Sequence, residues 1–209
     1  MLPSPSILLA VDIVVIAVTW WSLQVLLVQR DDIGKADRVL PWWFVWQKET
    51  LLEAAKRKLK EETWYGNFSI HNVGVFDAIE RDKRWRVVSA GFLALTYKTD
   101  FPFKDGKSTH DAKFFSLEKL PKLWFDHKEI IKTTLKYIQN TIMHTDIAKP
   151  LFDKQFTLND LQTVYELILW KKLNVRNFRK KIIDIELIKP TWNIEMWVGH
   201  RPAQYYMFA

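Results

Sequence analysis

The sequence predicts an α+β protein of two domains, the first over residues 1–148 and the second over 149–209. Three observations predict it. Strand-like and helix-like patterns mix through the first ~145 residues. Pro150 then interrupts the chain. After it come a helix, a turn, a basic helix and a hairpin.

Ile7 to Val18 is almost wholly apolar and rich in Val and Ile, which suits a buried strand. It is too short for a membrane span, and Asp12 in its middle would disfavour one by a few kcal/mol. A second apolar run, Leu23 to Val28, follows a turn at Thr19 to Ser22 and predicts a paired strand. Gln29 to Arg38 reads as a loop and Leu40 to Val45 as a short apolar segment. Thr50 to Thr63 carries Leu51, Leu52, Ala54, Ala55 and Leu59 as an apolar stripe on a charged helix. His71 to Phe76 and Val87 to Tyr97 read as strands joined by the charged turn "ERDKRWR". Lys98 to Ala112 is a polar loop and Phe114 to Leu117 a short strand. Asp126 to His144 has helical periodicity through Ile130, Ile131, Leu135, Ile138 and Ile142.

In the second domain, Thr157 and Asn174 stand as N-caps ahead of two helices, with a break at Trp170 to Leu173. Glu186 to Phe208 reads as short strands around turns at Pro190 to Asn193 and Val198 to Pro202. That order is a winged helix-turn-helix, whose second helix enters the DNA major groove. Between Lys171 and Lys181 there are six Lys or Arg and no acid. On charge alone this is a solvated helix face; its position in the motif makes it a phosphate-binding surface. Arg176, Asn177, Arg179, Lys180 and Lys181 are the candidate DNA contacts, with His200 and Arg201 on the wing.

The chain has no cysteine, which excludes disulfides, thiolate metal sites and a cysteine nucleophile. Its five histidines lack ligand spacing. No basic leader with a small-residue cleavage site is present, so a cytoplasmic protein without a membrane anchor is expected.

The stretch from Trp43 to Trp64 carries Glu49, Arg57, Leu59, Glu61 and Glu62 at fixed spacing. It resembles the box of the Nudix superfamily: Gly, five residues, Glu, seven residues, then Arg-Glu-aliphatic-x-Glu-Glu-x-Gly. The resemblance implies an α/β/α sandwich with a mixed sheet. It also implies a helix whose carboxylates at positions 58, 61 and 62 hold Mg²⁺ or Mn²⁺ against a pyrophosphate. Position 58 departs from the box. Lys58 repels a cation and can pair with Glu62 at i, i+4. Arg57, Glu61 and Glu62 are therefore expected to form an impaired catalytic site, with Glu61 and Glu62 as weak metal ligands.

The turn and strand "ERDKRWRVVSAGFLAL" look like the ADP-ribose pyrophosphatase branch. The segments "FTLNDLQTVYELIL", "NVRNFRKKI" and "GHRPAQYY" look like the winged helix of the Nudix-related transcriptional regulators of NAD metabolism. Together the matched segments span most of the chain. The resemblance implies a sensor of ADP-ribose or a related nucleotide that binds operator DNA as a homodimer, with Arg30, Arg84 and Arg86 as nucleotide-binding residues. The alternative is a Mg-dependent hydrolase, and a blander one is a degenerate module that binds neither DNA nor nucleotide.

Trp43 and Trp64 stand on the two glycines of the box, and Trp20-Trp21, Trp85, Trp170 and Trp192 also fall where turns use glycine. Six glycines make only about 3% of the chain against a usual ~7%; adding the eleven tryptophans brings the share to about 8%. Some bacterial lineages read UGA as glycine and others as tryptophan. A gene of the first kind, translated by the second table, yields this pattern. UGG codons at most of the eleven positions would refute it.

Overall fold

The computed structural model describes residues 7–19, 22–32, 37–63, 68–97, 109–152, 154–196 and 202–209. Its elements run β1 (Leu8–Val18), β2 (Leu23–Arg30), β3 (Trp42–Phe44), α1 (Leu51–Thr63), β4 (Ile70–Phe76), β5 (Val87–Thr96), β6 (Thr109–Ser116) and α2 (His127–Thr141). A 3-10 turn (Asp146–Leu151) leads to β7 (Phe156–Thr157), α3 (Leu158–Leu169), α4 (Val175–Asp184), β8 (Ile188–Ile194) and β9 (Gln204–Phe208).

The first sheet has the order β4-β5-β1-β2-β6, with β3 also paired to β1. It is mixed, because β1 and β5 run parallel while the other pairs are antiparallel. β1 is central, and both of its faces are covered. Val11, Ile13 and Val15 pack with Ala54, Ala55 and Leu59 of α1, whereas Val14, Ile16 and Val18 share a core with Ile130, Leu135 and Ile138 of α2. A strand buried on both faces loses the usual alternation, which is why β1 reads as one apolar run. The turn to β2 closes through Thr19, whose N–H and hydroxyl both donate to the Ser22 carbonyl at 3.0 Å.

The α2 core continues without a break through Ile147, Ala148 and Leu151 into Leu161, Tyr165 and Ile168 of α3 and Phe178 and Ile182 of α4. Gln139 on α2 donates to the Ile168 carbonyl at 3.0 Å. Pro150, the expected break, lies inside the 3-10 turn, next to the buried Leu151.

Three elements differ from expectation. β6 starts at Thr109, within the segment expected to be a polar loop. It is an edge strand, so pairing with β2 forms it without an apolar pattern. α2 stops at Thr141 rather than His144. β8 runs through Pro190 to Asn193, where a turn was expected. It too is an edge strand, where proline is tolerated, and its register shifts between Pro190 and Ile194. Gln204 spans the shift by donating to the Asn193 carbonyl at 2.9 Å.

Candidate functional site

The helix of the Nudix-like box begins with reciprocal bonds: Thr50 N–H donates to Glu53 at 2.8 Å, and Glu53 N–H donates to the Thr50 hydroxyl at 3.2 Å. Arg57 forks onto Glu49, with Nη2 at 2.7 Å and Nε at 2.9 Å, and reaches Glu61 through Nη1 at 3.1 Å. The same Glu49 accepts the Trp46 N–H at 2.8 Å. The Arg57 hydrogen bond and then the Trp46 N–H hold Glu49 below the usual carboxylate range, against a contribution from burial. Lys58 forms an ion pair with Glu62, and both side chains are almost completely buried. Glu61 stands apart on the exposed side of the helix.

A chain of charges lies beside the box. Arg30, at the end of β2, forks onto Asp32 at 2.9 Å, and its guanidinium stands 4.7 Å from the Trp42 ring and 5.2 Å from that of Trp43. Arg30 Nη1 is buried without a hydrogen-bond partner among the described residues. Arg84 bridges Asp32 at 2.8 Å and Asp82 at 3.0 Å. A cleft of about 560 Å³ opens there, lined by Arg81, Lys83, Arg84, Trp124, Phe125 and Asp126 among others.

Under the cleft lies a buried hub. Arg81 Nη2 donates to Asp12 at 2.8 Å, and its guanidinium forks onto Asp126 at 2.8 and 2.9 Å. His127 Nδ1 accepts the Leu40 N–H at 2.9 Å, so the proton of the neutral ring is assigned to Nε2, which lies 3.0 Å from Asp12 Oδ1. Burial disfavours the ionised Asp12, but His127 and Arg81 outweigh it and bring its pKa down to about 2. The hub ties β1, the turn before β5, the segment before β3 and the first turn of α2 to one carboxylate.

In the second domain Thr157 and Asp160 form a capping box on α3, and Asn174 accepts the Asn177 N–H at 3.0 Å to cap α4. Glu166 fixes the turn between the two helices. It accepts from Lys172 at 2.7 Å, Gln162 at 2.9 Å and the Leu173 N–H at 3.0 Å, which together bring its pKa down to about 2. Trp170 follows α3 in the left-handed conformation, with φ 51°. Phe178 and Ile182 turn α4 inward, leaving Arg176, Asn177 and Lys180 exposed.

Residues 9–134 match the NUDIX domain and residues 149–208 match the NrtR DNA-binding winged helix domain. The ADPR responsive transcriptional repressor NtrR of Acinetobacter baylyi is 32% identical over 211 residues, covering 98% of this chain and 83% of that protein. The chain belongs to the Nudix family, in its NrtR branch. Shewanella oneidensis NrtR complexed with a 27mer DNA superposes with a TM-score of 0.80 at 25% identity, covering 96% of this chain and 93% of that one. The NUDIX domain of the same NrtR complexed with ADP ribose superposes with a TM-score of 0.59 at 27% identity, over 65% of this chain and 90% of that one.

In this NrtR-type chain the predicted site residues part company. Glu61 and Glu62 are not brought together as metal ligands: Arg57 takes the first and Lys58 the second. A divalent cation does not fit that arrangement, and among the described residues no three His, Cys, Asp or Glu side chains group closely enough to hold one. Arg30 and Arg84 meet at Asp32, but Arg86 donates to the Asp77 carbonyl at 2.8 Å and braces its own loop. Arg179 is held by Asn159 of α3 at 2.8 Å, and Lys181 lies 3.4 Å from His144, so Arg176, Asn177 and Lys180 are the more accessible members of the DNA set. His200 and Arg201 lie outside the described residues.

Sequence reasoning missed Asp12, Arg81, Asp126 and His127. Asp12 carried a signal, since a carboxylate inside an apolar strand requires a buried partner. Of the seven described tryptophans only Trp170 has a positive φ. Trp42 and Trp43 sit in β3, and Trp192 lies fully exposed in β8 rather than in a turn. Trp20, Trp21, Trp64 and Trp197 lie outside the described residues.

Proposed function

We propose that this protein is a transcriptional regulator. Its first 148 residues bind ADP-ribose or a related nucleotide, and residues 149–209 bind operator DNA. The buried Lys58–Glu62 pair carries the reading, because it occupies the helix face on which a hydrolase of this family needs carboxylates. The names of its relatives, a repressor responsive to ADPR and an NrtR complexed with DNA, support the same assignment. Arg30 and Arg84 meet the nucleotide at the cleft beside Arg81. Arg176, Asn177 and Lys180 meet the DNA, with Arg179 and Lys181 oriented by their neighbours. The protein acts in the cytoplasm as a homodimer, which sets two recognition helices about one DNA turn apart.

A band-shift assay with the gene's own upstream region, with and without ADP-ribose, tests this. Retardation that changes with ADP-ribose is expected. Absence of any shift at low salt, where the electrostatic attraction is greatest, would sink the proposal. The hydrolase alternative requires Mg²⁺-dependent release of AMP at ordinary enzyme rates. Little or none is expected, and Lys58→Glu is expected to raise it.

A further inference from the structure

We propose that the nucleotide site of this chain works without a divalent cation, because Lys58 removes one carboxylate from the box helix and cancels another, Glu62, whose charge a metal cancels elsewhere in the family. The inference rests on the reading of the Nudix half as a diphosphate-binding module.

With carboxylates at positions 58, 61 and 62, the helix would present like charges to a diphosphate. The ligand would approach only once cations had cancelled them. In this chain the cancellation is built in. Lys58 neutralises Glu62, and Arg57, shared between Glu49 and Glu61, offsets one of their two charges. Glu53 is engaged by Thr50 at the start of the helix. The Lys58–Glu62 pair is buried, so salt screens it little, and a chelator cannot remove a side chain.

A second observation points to the anion. Arg30 from β2 and Lys58 from α1 both approach the Trp43 ring, each 5.2 Å from its centre. The two cations thus converge on β3 from different elements. Arg30 keeps one buried N–H-bearing nitrogen, Nη1, without a partner among the described residues. A buried donor of that kind is satisfied by an incoming acceptor such as a phosphate oxygen. Lys58 is compensated by Glu62 and Arg30 by Asp32, so what this segment offers an anion with no added ion is the Arg30 Nη1 donor.

The test is calorimetric titration of the full chain with ADP-ribose, once in EDTA and once in Mg²⁺. The affinities are expected to agree within about two-fold, a free-energy difference too small to reflect a bridging ion. Binding that appears only with Mg²⁺ overturns the inference and leaves ADP-ribose as the ligand. Absence of binding in both buffers overturns the inference and the ligand assignment together. Lys58→Glu should make the site metal-dependent, weakening binding in EDTA by roughly ten-fold or more and recovering it in Mg²⁺. Its melting temperature should rise with Mn²⁺, whereas that of the parent chain should not. A parent chain that Mn²⁺ stabilises as strongly as the variant would overturn the inference without any measurement on ADP-ribose.

Discussion

The two halves of this molecule use their cations in opposite ways. In the Nudix half Arg30, Lys58 and Arg81 are buried and paired with Asp32, Glu62, Asp12 and Asp126. In the winged helix Arg176 and Lys180 stand in solvent on a helix whose other face holds Phe178 and Ile182. A buried pair sets the shape and charge of a small-ligand site and is insensitive to salt. An exposed, unpaired cation adds little to stability and remains available for phosphate. The same residue types thus build a site in one half and a surface in the other, and burial makes the difference.

The sharpest way to break this comparison is to truncate one cation from each half. Arg81→Ala leaves two carboxylates facing each other in the hub and should cost about 3–5 kcal/mol by urea denaturation. A loss below about 1 kcal/mol would mean that the hub does not hold the fold. Acid comes next. The pKa of Asp12 is depressed to about 2, so its contribution is present above the ordinary carboxylate range and is lost as pH falls from about 4 towards 2. For this fully buried group the loss should be about 2 kcal/mol, and Asp12→Asn should remove that share of the acid transition along with the stability. Glu166 titrates in the same window, so the turn between α3 and α4 should loosen there too. Amide exchange at Leu173 reports it.

The tryptophans separate by backbone rather than by size. Trp170→Gly should stabilise the chain by about 1 kcal/mol, because glycine accepts the left-handed conformation freely. Trp192→Gly, in an extended strand and fully exposed, should change thermal stability little. Equal effects at both would show that the backbone conformation does not govern these positions. Smallest of all is the effect of Arg176→Ala on stability, which should be unmeasurable. Its effect lies in DNA binding, where the slope of log affinity against log salt should fall by ~1 if the side chain contacts a phosphate.

Much of this was legible because it depends on neighbours in sequence. Thr157 and Asn174 announce their helices through bonds to residues three positions on, and Lys58 meets Glu62 one helical turn away. The first half of β6 and the strand through Pro190 to Asn193 were not legible, because edge strands owe their form to a partner strand far along the chain. Arg84 and Arg86 are two residues apart and alike in type. One bridges Asp32 and Asp82, and the other braces its own loop.

By itself the sequence determined the family, the order of elements, the basic helix and the lysine that replaces a metal-binding carboxylate. Helix periodicity, capping and the spacing of the box are properties of contiguous chain. The tertiary structure alone decided that Asp12, Arg81, Asp126 and His127 meet at one point, and that one core runs from α2 into the DNA-binding helices. The physical reason is that a charge can be buried only where a partner is brought to it. For these residues the partners lie on other elements, placed by the packing of strands and helices rather than by their neighbours in the chain.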